Sequence, residues 1–280
     1  MHESHESFKA VVRGLLAGDP VRHTVALTAL ARDYPGTLMI TLHDSDGDSD
    51  GQNDAVVGAV IQVPPYPLIT SALPAKPEAA ECAAKAVYAV RPDLATASGP
   101  LESVHAFRDA WTILTGTEAK LVFSLRLFEL GDLEPPQVPG QARLATEADL
   151  PLLIQWHQGF RDDTLHGAQS EPVEVSARNF LKPGSITYIW EDDGTPVAFA
   201  GARGPIDKMV RVAPVYTPPD KRGHGYASAA TAAVSQWALD QGAEHVLLYT
   251  DLSNPVTNRI YPRIGYRPLE DSAEYAFTTP

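Results

Sequence analysis

Residues 218–227 read Pro218-Pro219-Asp220-Lys221-Arg222-Gly223-His224-Gly225-Tyr226-Ala227. An apolar strand predicted over Met209–Thr217 precedes this stretch, and an alanine-rich helix predicted over Gly225–Gln241 follows it. Glycine lets backbone amides turn toward one point without a Cβ in the way, and a helix N-terminus adds unpaired N–H groups and the positive end of a dipole. The stretch therefore predicts a site for a phosphate or a pyrophosphate.

Other interpretations of these glycines compete with that site. A P-loop requires Gly-Lys followed by Ser or Thr, which the stretch lacks. A dinucleotide-binding loop requires Gly or Ala where Ser228 stands, and a direct turn where Pro218 and Pro219 intervene. Asp251 lies at about the distance that this motif requires, so the dinucleotide interpretation stays open. A strand-to-helix turn that merely needs glycine is the remaining alternative.

Outward from this stretch, the second half of the chain alternates strand and helix patterns. Thr146 with Asp149 resembles a capping box, Asp193-Gly194 is a hairpin signal, and Asn254 followed by proline suits a helix start. The elements predicted beside the strand and helix above are strands at Arg143–Ala145, Ile186–Trp190, Val197–Ala202, Val246–Thr250 and Glu274–Phe277, and helices over Thr146–Phe160, Pro172–Leu181 and Asn254–Gly265. This order predicts a mixed α/β domain.

The run Arg222-Gly223-His224-Gly225-Tyr226-Ala227 resembles the R-G-x-G-x-G/A signature of the GNAT acetyltransferase superfamily. In that family a later helix has Asn near its start and Tyr seven residues on, and it ends in Gly-Phe or Gly-Tyr. The matching residues here are Asn254, Tyr261, Gly265 and Tyr266. The resemblance extends in element order over residues 141–280, and it implies a central, mostly antiparallel sheet with splayed strands, flanked by helices.

The resemblance also implies a cofactor site and a reaction. Backbone groups of Val215, Tyr216 and Thr217 would hold the pantetheine arm of acetyl-CoA, and the amides of the run from Arg222 to Ala227 would hold its pyrophosphate. An amine would attack the thioester directly in a ternary complex. By this resemblance Asn254 would contact the cofactor, and Tyr261 would protonate the leaving thiolate. Asn258 lies on the same helical face as these two residues, because the three are spaced four and three residues apart. Asn254 as a plain N-cap and Tyr261 as a core aromatic are the alternatives.

The general base is the least defined part of this expectation. The strand Met209–Thr217 carries no carboxylate, although the family often has a glutamate there. Asp251, at the end of the next strand, is the first candidate for the base, and it is also a common type of turn residue. His224 and His157 are further candidates, and a water chain with no single base is an equal alternative.

The proline-rich stretch Gly131–Gly140 predicts a boundary between domains at 1–135 and 136–280. The first half has a similar element order without the glycine signature, and we interpret it as a degenerate GNAT-like repeat. Its predicted helices are Phe8–Ala17, Thr24–Arg32, Glu78–Val90 and Leu101–Leu114, and its predicted strands are Thr37–Leu42, Ala55–Val63 and Lys120–Phe128. The fold class is therefore α/β (α+β, mixed sheet), with two GNAT-like domains in tandem.

Composition narrows the compartment and the partners. The net charge of -13 argues against a nucleic-acid platform, and no apolar run reaches the length of a membrane helix. A single cysteine and a polar, acidic start without signal-peptide features predict a location in the cytoplasm.

The acidic run at residues 44–54 resembles a calcium loop but has Val57 where a glutamate is needed, so no metal is predicted. The expected partners are a small-molecule or peptide amine and, in assembly, a homodimer. A non-catalytic acyl-CoA-binding or interaction module is the alternative function.

Overall fold

A computed structural model describes residues 4–31, 33–44, 55–164 and 171–278. The chain divides into two compact units. The first contains Met1–Leu125 together with Glu270–Pro280, and the second contains Arg126–Leu269. No helix within the described ranges is long and apolar enough to cross a membrane.

The second unit is built on a mixed sheet. Its strands lie in the order β5-β10-β9-β8-β7-β6. The pairs β6–β7, β7–β8 and β8–β9 are antiparallel, and the pair β9–β10 is parallel. The strands are β5 Glu118–Leu130, β6 Gln141–Leu144, β7 Ser185–Asp192, β8 Thr195–Ile206, β9 Met209–Tyr216 and β10 His245–Asp251. The helices are α5 Leu150–Thr164, α6 Val173–Asn179, α7 Tyr226–Asp240 and α8 Thr257–Ile260, numbered after α1–α4 of the first unit.

Alternation along β8 assigns the helices to opposite faces of this sheet. Phe199 stacks on Trp156 of α5, with the ring centroids 5.8 Å apart. The neighbouring positions Ala198 and Ala200 are fully buried and pack in the core that contains Val234 of α7. Because successive strand residues point to opposite faces, α5 covers one face and α7 covers the other.

The local signals at the turns and caps of this unit are confirmed. Asp193 and Gly194 both have positive φ, as the tight hairpin between β7 and β8 requires. Thr146 and Asp149 form the predicted capping box. Gly242 has φ of 78° and follows Gln241, the C-cap residue of α7.

The predicted helix after Asn254 is shorter than expected. The α-helix covers only Thr257–Ile260, and a 3-10 turn at Pro262–Ile264 follows. Pro262 has no N–H to donate and crowds the preceding turn, so the regular helix ends before it. Gly265, with φ of 101°, then turns the chain into the last strand.

The first unit has its strands in the order β1-β2-β3-β4-β11-β5, and residues 118–125 are its part of β5. Its elements are α1 His5–Ala17, α2 Thr24–Leu30, β1 Leu38–His43, β2 Val56–Gln62, β3 Leu68–Ile69, α3 Pro77–Tyr88, β4 Thr96–Pro100, α4 Leu101–Thr115 and β11 Tyr266–Thr278. The strands β3 and β4 were not predicted, because β3 is two residues long and β4 is too polar to show an apolar pattern. A cluster that includes Phe107 and Trp111 of α4 forms the core.

The compact units divide the chain differently from the predicted domains. The first boundary lies within β5, after Leu125, and not in the stretch Gly131–Gly140. The second lies within β11, because the segment Ser272–Ala276 pairs with β4 and so belongs to the first unit. The division of family domains at residue 135 stays a prediction.

Candidate active site

The strands β9 and β10 separate toward their C-terminal ends. Their ladder covers three pairs, and the last joins Arg211 to Leu247, whereas β9 continues to Tyr216 and β10 to Asp251. On its other side β9 pairs with β8, and between the pairs Ala200–Val215 and Ala202–Val212 it has one more residue than β8, which is a β-bulge. Pro214 lies in this bulge and has no N–H to donate. The sheet therefore opens between β9 and β10 beyond Arg211.

The glycine-rich stretch lies beside this opening and forms the start of α7. A 3-10 turn at Pro219–Lys221 follows β9, and Gly225 is the N-cap residue of α7. Gly223 and Gly225 have φ of 84° and 85°, a conformation in which side chains other than glycine are strained. A Cβ on Gly225 would also lie 2.8 Å from Cγ1 of Val138. The loop thus requires glycine at position 225 for two separate reasons.

A cleft of about 740 Å³ joins the opening to the start of α7. It lies within the second unit, and α5, the end of β9, the glycine-rich loop and α8 contribute to its wall. The predicted cofactor-binding residues that line it are Val215, Tyr216, Thr217, Arg222, Gly223, Gly225, Tyr226, Ala227 and Asn254. Tyr261, the predicted acid, lines it as well.

Arg222 holds one side of the cleft together. Its Nε donates to the carbonyl oxygen of Thr217 at 3.0 Å, and its guanidinium forms an ion pair with Asp163 of α5. The same guanidinium lies 5.8 Å from the ring centroid of Tyr216. Burial, followed by the charge of Asp163, raises the pKa of Tyr216. This contact links the end of β9 to α5.

Tyr261 is the most deeply buried polar side chain of the cleft. Its relative exposure is 6%, and burial raises the pKa of its phenol to about 12. Its ring meets the ring of Tyr266 edge to face, with the centroids 6.0 Å apart. The hydroxyl of Thr231 on α7 acts on this pKa in the opposite direction to burial, but at neutral pH the phenol keeps its proton.

Residues 153–266 match the sequence model of the acetyltransferase (GNAT) family. This segment is a GNAT domain. It contains most of α5, the glycine-rich loop, the opening between β9 and β10, and Tyr261. No protein of curated function is significantly similar to the chain in sequence.

Solved structures extend the likeness to both halves of the chain. A GCN5-related N-acetyltransferase from Kribbella flavida is 22% identical, with 100% of this chain and 97% of that chain covered and a TM-score of 0.53. A tandem GNAT protein from the clavulanic acid biosynthesis pathway, solved without acetyl-CoA, is 14% identical, with 94% of each chain covered and a TM-score of 0.55. A Drosophila protein is 12% identical, with 99% and 97% covered and a TM-score of 0.65. At these identities the likeness shows the fold, and it confirms the predicted tandem α/β class.

Asn254 and Asn258 hold the chain around α8. The Oδ1 atom of Asn254 accepts from the backbone N–H groups of Val256 and Thr257, so this side chain caps the turn, as its alternative role required. Asn258 accepts from the hydroxyl of Thr250 at 2.7 Å and donates to the carbonyl oxygens of Asp251 and Asn254, each at 2.8 Å. Asn254 lines the cleft, whereas Asn258 ties α8 to the end of β10 and lies outside the cleft wall.

The structure does not bring the candidate bases to the wall of the cleft. The carboxylate of Asp251 accepts from the backbone N–H of Ser253 at 2.7 Å, which is a turn contact. His224 is exposed, and its ring stacks on that of Tyr226 with the centroids 5.5 Å apart. His157 is buried on α5, and burial, followed by the charges of Arg161 and Arg203, lowers its pKa to about 4. The geometry thus favours none of these groups as the base.

Sequence reasoning missed the side of the cleft that is remote in the chain. Phe160, Asp163 and Thr164 of α5 and Pro136 of the proline-rich stretch all line it. These contacts are long-range, so no local pattern marks them. The role of Asp163 in the cleft becomes visible only in the structure, where it forms an ion pair with Arg222. No cluster of metal-binding side chains occurs among the described residues, and the acidic run at 45–54 lies outside them.

Proposed function

We propose that the GNAT domain binds acetyl-CoA in this cleft and transfers the acetyl group to an amine. The observation that carries the proposal is the opening of the sheet between β9 and β10 into the cleft that begins at α7. Past Arg211 the backbone of β9 is no longer paired with β10, so groups of Val215 and Tyr216 can bond to the amides of a pantetheine arm.

The start of α7 supplies the anion site. The first N–H groups of a helix have no partner within the helix, and α7 is long enough to carry a substantial dipole. Lys221 and Arg222 add positive charge beside these amides, and Arg263 adds more from the turn after α8. A pyrophosphate would exchange the ion pair of Arg222 with Asp163 for its own charge-assisted hydrogen bonds.

Acetyl-CoA supplies a thioester, whose carbonyl carbon forms a C–N bond with the amine as its C–S bond breaks. The proton that leaves the amine nitrogen balances the one that the thiolate sulfur takes up. Tyr261 stabilises the developing thiolate by donating a hydrogen bond from a phenol that is still protonated at neutral pH. The unpaired N–H groups at the opening in the sheet are the donors for the carbonyl oxygen as it gains charge.

A pair of phenol deletions tests the reaction. Tyr261→Phe is expected to reduce kcat by about 100-fold and to leave the Kd of acetyl-CoA nearly unchanged. Tyr266→Phe is the matched control, because it also removes a buried hydroxyl, which bonds to Ser235, but from a side chain that lies outside the cleft wall. This control is expected to lower the Tm and to keep kcat.

The measurements are release of free CoA thiol with a panel of amines and the thermal shift caused by acetyl-CoA. A thermal shift without amine-dependent thiol release would identify a non-catalytic acyl-CoA-binding module instead. Absence of any shift would exclude both functions for this cleft.

A further inference from the structure

Two arginines face each other across the ladder of β8 and β9. Arg203 and Arg211 are directly paired in register, so their side chains leave the sheet on the same face. Phe199 and Gly201 precede Arg203 on that face at the two-residue spacing of a strand, and Phe199 packs on α5. Like charges directly opposite one another repel, so a structure that keeps such a pair calls for a compensating anion.

The guanidinium of Arg203 is fixed in place but is not neutralised. Its carbon lies 4.7 Å from the ring centroid of Phe180, in a cation–π contact. Its Nε is buried and has no hydrogen-bond partner in the part of the chain that the structure describes. A buried N–H donor without an acceptor costs stability, so Arg203 is held ready for an acceptor that a ligand supplies.

Arg211 shows the same lack of compensation. Burial first, and then the charge of Arg203, lowers its pKa to about 10, and only Tyr249 acts in the opposite direction. Neither arginine forms an ion pair with a carboxylate within the described ranges of the chain. The imidazole of His157 lies beside Arg203, because its centroid is 5.5 Å from that of Phe180, whose ring Arg203 also contacts. Its Nε2 is also buried without a partner among the described residues.

The pair lies where the acyl acceptor would approach. Arg211 is the last residue of β9 that pairs with β10, so it marks the point at which the two strands separate. The arginines leave the sheet on the face that α5 covers, and α5 also contributes to the wall of the cofactor cleft. Neither arginine lines that cleft, so the pair adjoins the inner end of the opening on the α5 face of the sheet, next to the cofactor cleft.

We propose that the acceptor amine carries an acidic group, a carboxylate or a phosphate, which the Arg203–Arg211 pair binds. This inference rests on the proposed function. Two guanidinium groups provide planar forks that match the oxygens of either anion and orient the amine on the same molecule toward the opening. A polycationic acceptor would meet two uncompensated positive charges and would be rejected.

Matched acceptors test the inference. Each α-amino acid of a panel is compared with its decarboxylated amine, such as phenylalanine with 2-phenylethylamine, and O-phosphoethanolamine is compared with ethanolamine. The acid-bearing member of at least one pair is expected to show a KM at least about 10-fold lower. The first comparison reports a carboxylate and the second a phosphate. Equal or better use of the amines without the acid would overturn the inference while leaving acetyl transfer intact.

Substitutions of Arg203 and Arg211 provide a second test of the inference. Arg203→Met and Arg211→Met are each expected to raise the KM of the acid-bearing acceptor by about 10- to 100-fold and to keep the Kd of acetyl-CoA within about 2-fold. Arg211→Lys is expected to recover part of the loss. Arg178→Met, on the exposed side of α6, removes an arginine outside the pair and is the control.

A binding measurement without turnover distinguishes a failure of this inference from a failure of the proposed function. The N-acetylated form of the best acceptor is expected to raise the Tm of the wild type and not that of Arg211→Met. Suppose that acetyl-CoA stabilises the wild type and both variants, but that each variant raises the KM of the amine without the acid as much as the KM of the acid-bearing acceptor. The arginines would then act only on folding, and the inference would be wrong. If acetyl-CoA stabilises none of these proteins, the failure lies in the proposed function itself.

Discussion

Gly159 of α5 lies directly against the phenol of Tyr216 at the end of β9. A Cβ at position 159 would come within 2.3 Å of the tyrosine hydroxyl oxygen and 2.5 Å of the ring carbon that carries it. The absence of a side chain on α5 therefore lets the tyrosine lie over the helix, with the guanidinium of Arg222 near its ring. This contact sets the wall of the cleft at the far end of the opening, where β9 ends.

Gly159→Ala is expected to displace Tyr216 and to weaken acetyl-CoA binding by about 10-fold, as measured by calorimetric titration. Alanine favours a helix by about 1 kcal/mol over glycine, so without this clash the change would stabilise the protein. Gly14→Ala in α1 is the control, because no atom lies within 4 Å of its added Cβ, and it is expected to raise the Tm. An unchanged Kd in Gly159→Ala would show that Tyr216 does not shape the cofactor site.

Gly225→Val is expected to abolish the thermal stabilisation that acetyl-CoA causes. Valine is strained by roughly 1–2 kcal/mol at a positive φ, and here it would also collide with Val138 at the start of α7. Gly116→Val, after α4, carries the same backbone strain at φ of 71° with no atom near its Cβ. This second variant should lose stability but keep the shift with acetyl-CoA. A retained shift in Gly225→Val would mean that the anion site lies elsewhere.

Asn258→Ala is expected to lower the free energy of unfolding by about 2 kcal/mol in urea. Its side chain joins Thr250 of β10 to two backbone carbonyls ahead of α8, and alanine would leave those groups without this partner. Gln236→Ala provides the comparison, since it removes an exposed amide bond to Asp240 and is expected to change stability by less than about 0.5 kcal/mol. Equal effects of the two substitutions would contradict the role assigned to Asn258.

Acid is expected to destabilise the protein in part through Asp149. The guanidinium of Arg143 bonds to both carboxylate oxygens and holds the pKa of this carboxyl at about 2, below its unfolded value of about 3.9. A lowered folded pKa stabilises the native state above the unfolded pKa, and this stabilisation is lost as the pH falls from about 4 to about 2.

The difference between the folded and unfolded pKa of Asp149 corresponds to a stabilisation of at most about 2 kcal/mol at neutral pH. Asp149→Asn cannot titrate, so its unfolding free energy should decline less steeply over this acid range than that of the wild type. Parallel pH profiles of the two proteins, measured by urea unfolding, would rule out this assignment.

The parts of the site that sequence could predict are those that lie close together in the chain. The glycines of the loop, the cap at Asn254 and the turn at Asp193-Gly194 depend on local backbone geometry, and each stands where it was expected. The contact of Gly159 with Tyr216 and the pairing of Arg203 with Arg211 depend on how distant segments pack. Spacing in one sequence does not carry that information. Asp251 illustrates the limit, since its position at a strand end suits both a base and a turn residue, and only the contact with the N–H of Ser253 in the structure favours the turn.

The last strand of the chain has a consequence for synthesis. Ser272–Ala276 of β11 complete the sheet of the first unit by pairing with β4, and the whole second unit intervenes in the chain between these two strands. The second unit is thus an insertion in the order of translation, although its own strands and helices are contiguous. On the ribosome, the half that emerges first waits for its final strand until the other half has been made, so the unit that begins later is the first whose chain is complete.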